Sequence, residues 1–288
     1  MSIILKQVSL LYNQGSKDEH FALSDINLQV TEGEFIGIMG RTGCGKSSLI
    51  QLISGLIEPT GGQIFLYGQD ICKKDYDRTI LRQNIGVIFQ YPECQLFEST
   101  VEREIAFGLK HMSLSKEETI NCIQEALSFV GFSYDKIRKE SPHALSGGEK
   151  RRLAIAGVLA RKPKILILDE PIAGLDPKSR VAFLDLLRKL NRNGVTILMI
   201  SHNIDVLCEY ATRIWVMNHG HVVMDDIPQK IFRDTTYIKQ LNLDVSTPRQ
   251  MIELLQEKGI ELPKDVVTYE AFLAALKQQF GKNGGDYL

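Results

Sequence analysis

Unbroken apolar runs alternate along this chain with stretches in which apolar positions recur every three or four residues. Phe35 to Met39, Ile85 to Phe89, Ile165 to Leu168 and Val195 to Ile200 are nearly continuous in apolar side chains. Such runs predict strands covered on both faces in a mainly parallel sheet. The first 30 residues and Gln63 to Gly68 carry polar interruptions and turn residues, which predicts a smaller antiparallel sheet beside that core. From Tyr91 to Leu159 the period is helical: Val101, Ile105 and Leu109 fall at steps of four, and Ser99-Thr-Val-Glu102 has the form of a capping box. Asp176-Pro177 supplies an N-cap and a first-turn proline for a helix ending near Gly194. Beyond about Lys230 the strand pattern stops. Thr247-Pro248 and Gly259 bracket one helix, Thr268 and Gly281 bracket another, and GKNGGDYL reads as a frayed end. The alternation is that of an α/β fold. It divides the chain into an α/β unit over residues 1–230, with a helical subdomain at about 91–160, and a small helical appendage over 231–288.

Charge and composition narrow what such a fold does. The 34 Lys+Arg nearly balance the 35 Asp+Glu, for a net charge of −1, so the phosphate neutralisation that drives nucleic-acid binding is not available. With 44% hydrophobic and 24% charged residues, the chain has the make-up of a soluble protein with a sizeable core. No apolar run approaches the roughly 18 to 20 residues of a membrane span, so this chain is not expected to form a channel itself. The start, MSIILKQVSLLY, carries Lys6 within its apolar stretch and reads as a first strand rather than an export leader. Five cysteines without a CxxC pair point to a reducing compartment, not to a disulfide framework or a zinc knuckle. His219 and His221, on the turn NHGH, read as solvated, since no further ligand cluster accompanies them.

The chemistry is concentrated in three places. Gly40-Arg41-Thr42-Gly43-Cys44-Gly45-Lys46-Ser47, followed by Ser48, is a complete GxxxxGK[ST] between the strand EFIGIM and a helix with Leu49, Leu52, Ile53 and Leu56 on one face. The glycines let backbone N–H groups converge on phosphate oxygens, Lys46 reaches the β and γ phosphates, and Ser47 can hold Mg²⁺. Cys44 reads as a small filler of the loop. The strand KILILDE delivers two carboxylates at its C-terminal end, where ligands sit in open α/β sheets. Asp169 there can hold Mg²⁺ through water, and Glu170 can orient or deprotonate an attacking water. Leu145-Ser146-Gly147-Gly148-Glu149 precedes the helical run KRRLAIAGVLAR and offers a hydroxyl and bare N–H groups at a helix start. Taken alone, that pentapeptide is equally an ordinary Ser N-cap with a glycine turn. Lys150, Arg151 and Arg152 read as a solvated first turn.

In this order, together with Gln90 after a strand, Ala173-Gly-Leu-Asp176, and His202 after VTILMIS, these residues resemble the ATP-binding cassette ATPases over roughly residues 2 to 225. LSGGE is the discriminating member, and the base-reading NKxD of GTPases is missing. Phe89 to Gly108 is further similar to the Q-loop and Q-helix of energy-coupling factor transporter ATPases, close to their second, A′-type subunit. Glu149 stands where many cassettes have Gln, and Ile172 where many have Thr; neither removes a hydrolytic position.

The resemblance implies a P-loop cassette that binds ATP and Mg²⁺ between the phosphate loop of one subunit and the LSGGE of another. Gln90 would sense Mg²⁺ and the γ-phosphate, and His202 would contact the γ-phosphate and the attacking water. Ser146, Gly147, Gly148 and Asp176 would act across the interface, and Tyr12, with Phe21 as a rival, would stack on adenine. It implies as partners a paralogous second ATPase, with a homodimer as the other possibility, a transmembrane coupling subunit docking near Gln95, Leu96 and Phe97, and a substrate-binding membrane subunit. The chain would then sit at the cytoplasmic face of the cell membrane and power import of a vitamin or a transition-metal ion. A soluble nucleotide-gated switch is the competing reading; such heads usually carry a coiled coil, a basic patch or a second cassette, and none is visible in this sequence.

Overall fold

The computed structural model describes residues 1–281; the expected frayed end, 282–288, lies outside the described residues. Two sheets organise the chain. Strands β1 (Ile3–Tyr12), β2 (His20–Val30), β4 (Gly61–Leu66) and β5 (Gln69–Asp70) form an antiparallel sheet in the order β2-β1-β4-β5. Strands β3 (Phe35–Gly40), β6 (Ile85–Ile88), β7 (Ile165–Asp169), β8 (Thr196–Ile200), β9 (Arg213–Asn218) and β10 (His221–Asp226) form the second, in the order β10-β9-β3-β8-β7-β6. All its neighbours pair in parallel except the edge strand β10. Both sheets meet the expectation from the apolar runs.

The parallel core is dry on both faces. Ile36, Ile38, Ile165, Ile167, Leu198 and Ile200 turn toward the antiparallel sheet and pack with Leu5, Val8, Leu28 and Trp215. Phe35, Leu166, Leu168, Ile197 and Met199 join the opposite layer with Leu153, Ala156 and Leu187. Burial of a large aliphatic side chain contributes about 1.5–3 kcal/mol, so this double layer fixes the strand register rigidly. The strands therefore deliver their C-terminal ends, Gly40, Asp169 and Ile200, to one edge of the sheet.

The stretch 91–160 is helical as expected, with helices Val101–Leu109, Lys116–Phe129, Tyr134–Ile137 and Gly147–Leu159 sharing Ile105, Leu109, Ile123, Leu127 and Leu153 in the same core. The expected capping box at Ser99 does not form. Thr100 is the N-cap instead, accepting from the Arg103 N–H at 3.3 Å. Glu102 turns to Arg138, while Glu104 accepts from the N–H groups of Phe97 and Glu98. Helix Pro177–Arg192 begins at the Asp176 cap. After β10 come helices Pro228–Ile231, Thr235–Gln240, Thr247–Glu257 and Tyr269–Gly281. Ile252, Leu262, Val266 and Phe272 form a small core of their own there, whereas Ile231, Phe232, Ile238, Val245 and Val267 belong to the main one.

Candidate functional site

The turn from β3 into helix Lys46–Ile53 sets the first half of the site. Gly45 is its N-cap, at φ 107°, and a Cβ there would lie 2.5 Å from the Ala22 carbonyl oxygen. Only glycine allows this approach, and it places the loop at the start of a helix, where N–H groups without intrahelical partners favour an anion. Lys46 is buried, and its Nζ donates to the carbonyls of Gly40 at 2.7 Å and Arg41 at 2.9 Å. The ammonium is thus held beneath the loop, where a phosphate oxygen is a better acceptor than either carbonyl. Cys44 is buried in the sheet core, and burial raises its thiol pKa, so it fills space as expected.

Strand β7 brings in the second half. The Ser47 hydroxyl donates to Asp169 Oδ2 at 3.3 Å, which places two hard oxygen ligands side by side, the kind of donor Mg²⁺ takes. Glu170 follows at φ 47°, a left-handed backbone that costs a non-glycine residue about 1–3 kcal/mol. Its N–H donates to the Ile200 carbonyl at 3.1 Å. The carboxylate turns back over the strand ends, and its Oε1 is buried without a hydrogen-bond partner among the described residues. Burial, and then the neighbouring Asp169 charge, raise the Glu170 pKa to about 7. Burial also raises that of Asp169.

His202 stands two residues past β8, with its Nε2 3.6 Å from Glu170 Oε1. Burial and the Lys46 charge lower its pKa, so the imidazole is neutral near pH 7 and the two groups are not an ion pair. The separation suits a shared water better than a direct bond.

These groups line a single cleft of 360 Å³ with Tyr12, Phe21, Thr42, Gly43, Ser48 and Gln90. Tyr12 has its hydroxyl 3.4 Å from Ser48 Oγ and its ring 5.8 Å from that of His20; the rival Phe21 is exposed on the same wall. His20 and Ala22 also line the cleft and were not among the expected residues; nothing in their spacing marks them. Gly40 and Arg41, with Thr42 and His202, line an adjoining polar cleft of 300 Å³.

Ser146, Gly147, Gly148 and Asp176 do not line the 360 Å³ cleft. Ser146 caps helix Gly147–Leu159 in a capping box with Glu149, and Gly147 and Gly148 lie exposed on its first turn. Asp176 accepts from the N–H groups of Lys178 and Ser179, each at 3.0 Å. The expected solvated turn at Lys150 to Arg152 is corrected at Arg151. That residue is buried, and its guanidinium donates to the Ala173 carbonyl at 2.8 Å and to the Pro171 carbonyl, in the loop that follows Glu170. Its place four and eight residues before the buried Ile155 and Leu159 puts it on the apolar face, a signal present in the sequence. Of the three expected coupling residues, Gln95 and Phe97 are exposed and Leu96 is buried.

A model of the ABC transporter family matches residues 23–173. The chain belongs to that family. The cassette is similar along most of its length to energy-coupling factor transporter ATP-binding proteins EcfA2. That of Clostridium tetani is 42% identical over 271 residues, 94% of each chain. That of Symbiobacterium thermophilum is 40% identical over 287 residues, 99% of each. Among solved structures, cbiO1 from Clostridium perfringens, part of the ABC transporter complex cbiONQ, superposes with a TM-score of 0.72 at 34% identity, covering 88% of this chain and 98% of that one. The dimeric post-hydrolysis state of the cassette MJ0796 bound to ADP and Pi gives 0.68 at 31% identity, covering 78% and 98%. The cassette is therefore an ATP-binding ABC ATPase, as its motifs imply.

Proposed function

We propose that this cassette is the ATP-hydrolysing motor of an energy-coupling factor importer, working as one half of a head-to-tail pair. The reading is carried by one observation: the hydrolytic groups converge in one cleft, while Ser146, Gly147, Gly148 and Asp176 stand outside it, exposed at two other helix starts. A paralogous cassette is the assigned partner. Tyr12 would pack on adenine, the loop N–H groups and Lys46 would hold the phosphates, and Ser47, Asp169 and Gln90 would hold Mg²⁺, for which the oxygen pair at 3.3 Å is a fitting start. Mg²⁺, when bound, neutralises charge developing on the phosphoryl oxygens. Glu170, with a pKa near 7, takes the proton of the attacking water, and neutral His202 donates toward the γ-phosphate.

Residues 1–230 form the motor and 231–288 an appendage that helps the cassettes pair. Among the described residues no helix is long and apolar enough to cross a membrane, so coupling falls to partners. Exposed Gln95 and Phe97, the latter stacked edge-on against exposed Phe107 at 4.9 Å between ring centres, offer an aromatic surface to a transmembrane coupling subunit. Leu96 anchors that surface from below. A separate membrane subunit recognises the cargo, a vitamin or a transition-metal ion, and the cassette sits at the cytoplasmic face. Affinity purification of the tagged chain from gently solubilised native membranes, with an ATPase assay, tests this. Recovery of a second cassette with membrane subunits is expected; an active soluble homodimer without them overturns the reading.

A further inference from the structure

One carboxylate joins the starts of two C-terminal helices to the element that follows His202. Asp205 lies in the first turn of helix Ile204–Tyr210, three residues after His202. It accepts from the Thr247 N–H at 2.7 Å, the Thr247 hydroxyl at 2.6 Å and the Tyr269 hydroxyl at 3.3 Å. Thr247 and Tyr269 are the first residues of the last two helices, so both helix starts converge on a residue beside the site. The connection that carries His202 is otherwise fixed locally. Asn203 donates its N–H to Ser201 Oγ at 3.0 Å and caps the helix by accepting from Val206 N–H at 3.0 Å. Those two bonds tie the connection that carries His202 to the start of the helix that follows it, and Asp205 lies in the first turn of that helix. The preceding segment completes the arrangement: Asn242 and Asp244 line the 300 Å³ cleft together with Arg41, Thr42 and His202.

We infer that Asp205 is a positioning residue through which Thr247 and Tyr269 hold His202 in register with the γ-phosphate, making the C-terminal helices part of the hydrolytic machinery. The inference rests on the role given to His202 above. A charge-assisted hydrogen bond is short and directional, so it transmits position where apolar packing alone would let the helix rock. His202 needs such support because its own side chain is 59% exposed and makes no hydrogen bond that would orient it among the described residues.

The test is steady-state ATP hydrolysis by the full-length chain in its purified assembly, with a melting curve for each variant. Thr247→Val is expected to lower kcat about tenfold while KM for ATP stays within about twofold, the pattern of an interaction felt only in the transition state. Thr247→Ser, which keeps both donors, is expected to restore kcat, and Tyr269→Phe, which removes the longest bond, to lower it about two- to threefold. Asp205→Asn, which retains an acceptor for the Thr247 N–H, is the second variant should Thr247→Val fold poorly, with the same expected split. Wild-type kcat in a folded Thr247→Val or Asp205→Asn chain, or a raised KM with kcat unchanged, overturns the inference. His202→Ala is assayed alongside. Full turnover in that variant overturns the role of His202 and the clamp with it, whereas loss there beside intact Thr247→Val overturns the clamp alone.

Discussion

Two helix starts in this molecule are opened by glycine, at Gly45 and at Gly147 and Gly148, and they differ in what demands the glycine. At Gly45 the demand is internal: the backbone is left-handed, and an added Cβ would strike the Ala22 carbonyl. At Gly147 and Gly148 a Cβ would meet nothing within 4 Å. Neither backbone there has the positive φ that favours glycine. Glycine weakens a helix by about 0.5–1 kcal/mol relative to alanine, so two in one first turn are unfavourable for this chain alone. Their use is explained once a phosphate from another subunit approaches that turn, as the proposed head-to-tail pair requires. The demand for glycine at the first start thus comes from the chain's own fold, and at the second, in the proposed pair, from the other subunit.

The contrast can be broken by alanine. Gly45→Ala is expected to weaken ATP binding by about 10³-fold, or ~4 kcal/mol, and to lower the melting point, because the strained backbone and the Ala22 contact both give way. Nucleotide titration together with a melting curve measures this; tight ATP binding in that variant removes the internal demand.

The next largest effect concerns the residue that joins the two regions. Arg151, on the helix that begins at Gly147, holds the Pro171 and Ala173 carbonyls just beyond Glu170. Arg151→Met is expected to cost about 3 kcal/mol in urea unfolding, since two carbonyls lose a charged donor in a buried place. A loss under about 1 kcal/mol would mean that the two regions are held together by packing.

Gly148→Ala sharpens the comparison from the other side. It is expected to leave the melting point equal or slightly higher and nucleotide binding unchanged, while ATP turnover falls about tenfold, a barrier increase of about 1.4 kcal/mol. Unchanged turnover would leave the second glycine pair without a ligand.

The same division governs what the sequence could reveal. The parallel strands are legible because Ile165 to Leu168 and Ile197 to Ile200 are buried on both faces and apolar throughout. The phosphate loop is legible because its chemistry and its backbone demand coincide. Local patterns with several solutions misled: Ser99 fits a capping box as well as Thr100 fits a simple cap, and the choice falls to Glu104, which turns back to the Phe97 and Glu98 N–H groups. Arg151 was hidden by its charged neighbours, although its spacing to Ile155 placed it inside. Asp205 carries no local signal at all, because its partners lie 42 and 64 residues away.

Glu170 extends the contrast to stability. Its raised pKa means that the folded chain binds a proton there more tightly than the unfolded chain, where a glutamate titrates near 4.5. The native state is therefore favoured fully below pH 4.5, and that contribution is lost as pH rises through about 7. Above neutrality a carboxylate beside Asp169, with one oxygen buried and unpaired, opposes folding in the nucleotide-free protein. After allowance for solvent screening the penalty is about 1 kcal/mol. Glu170→Gln, which carries no charge, is expected to raise the melting point at pH 8 by about 2–4 °C without nucleotide. The gain should shrink as pH falls and vanish near pH 4.5. A gain independent of pH would assign the effect to packing rather than to the charge, since the left-handed backbone is the same in both chains. A gain that follows the titration, beside a loss of hydrolysis, would show that the cleft holds its base at the expense of the fold, through a buried charge, whereas the helix start at Gly147 has only the weaker helix propensity of its glycines against it.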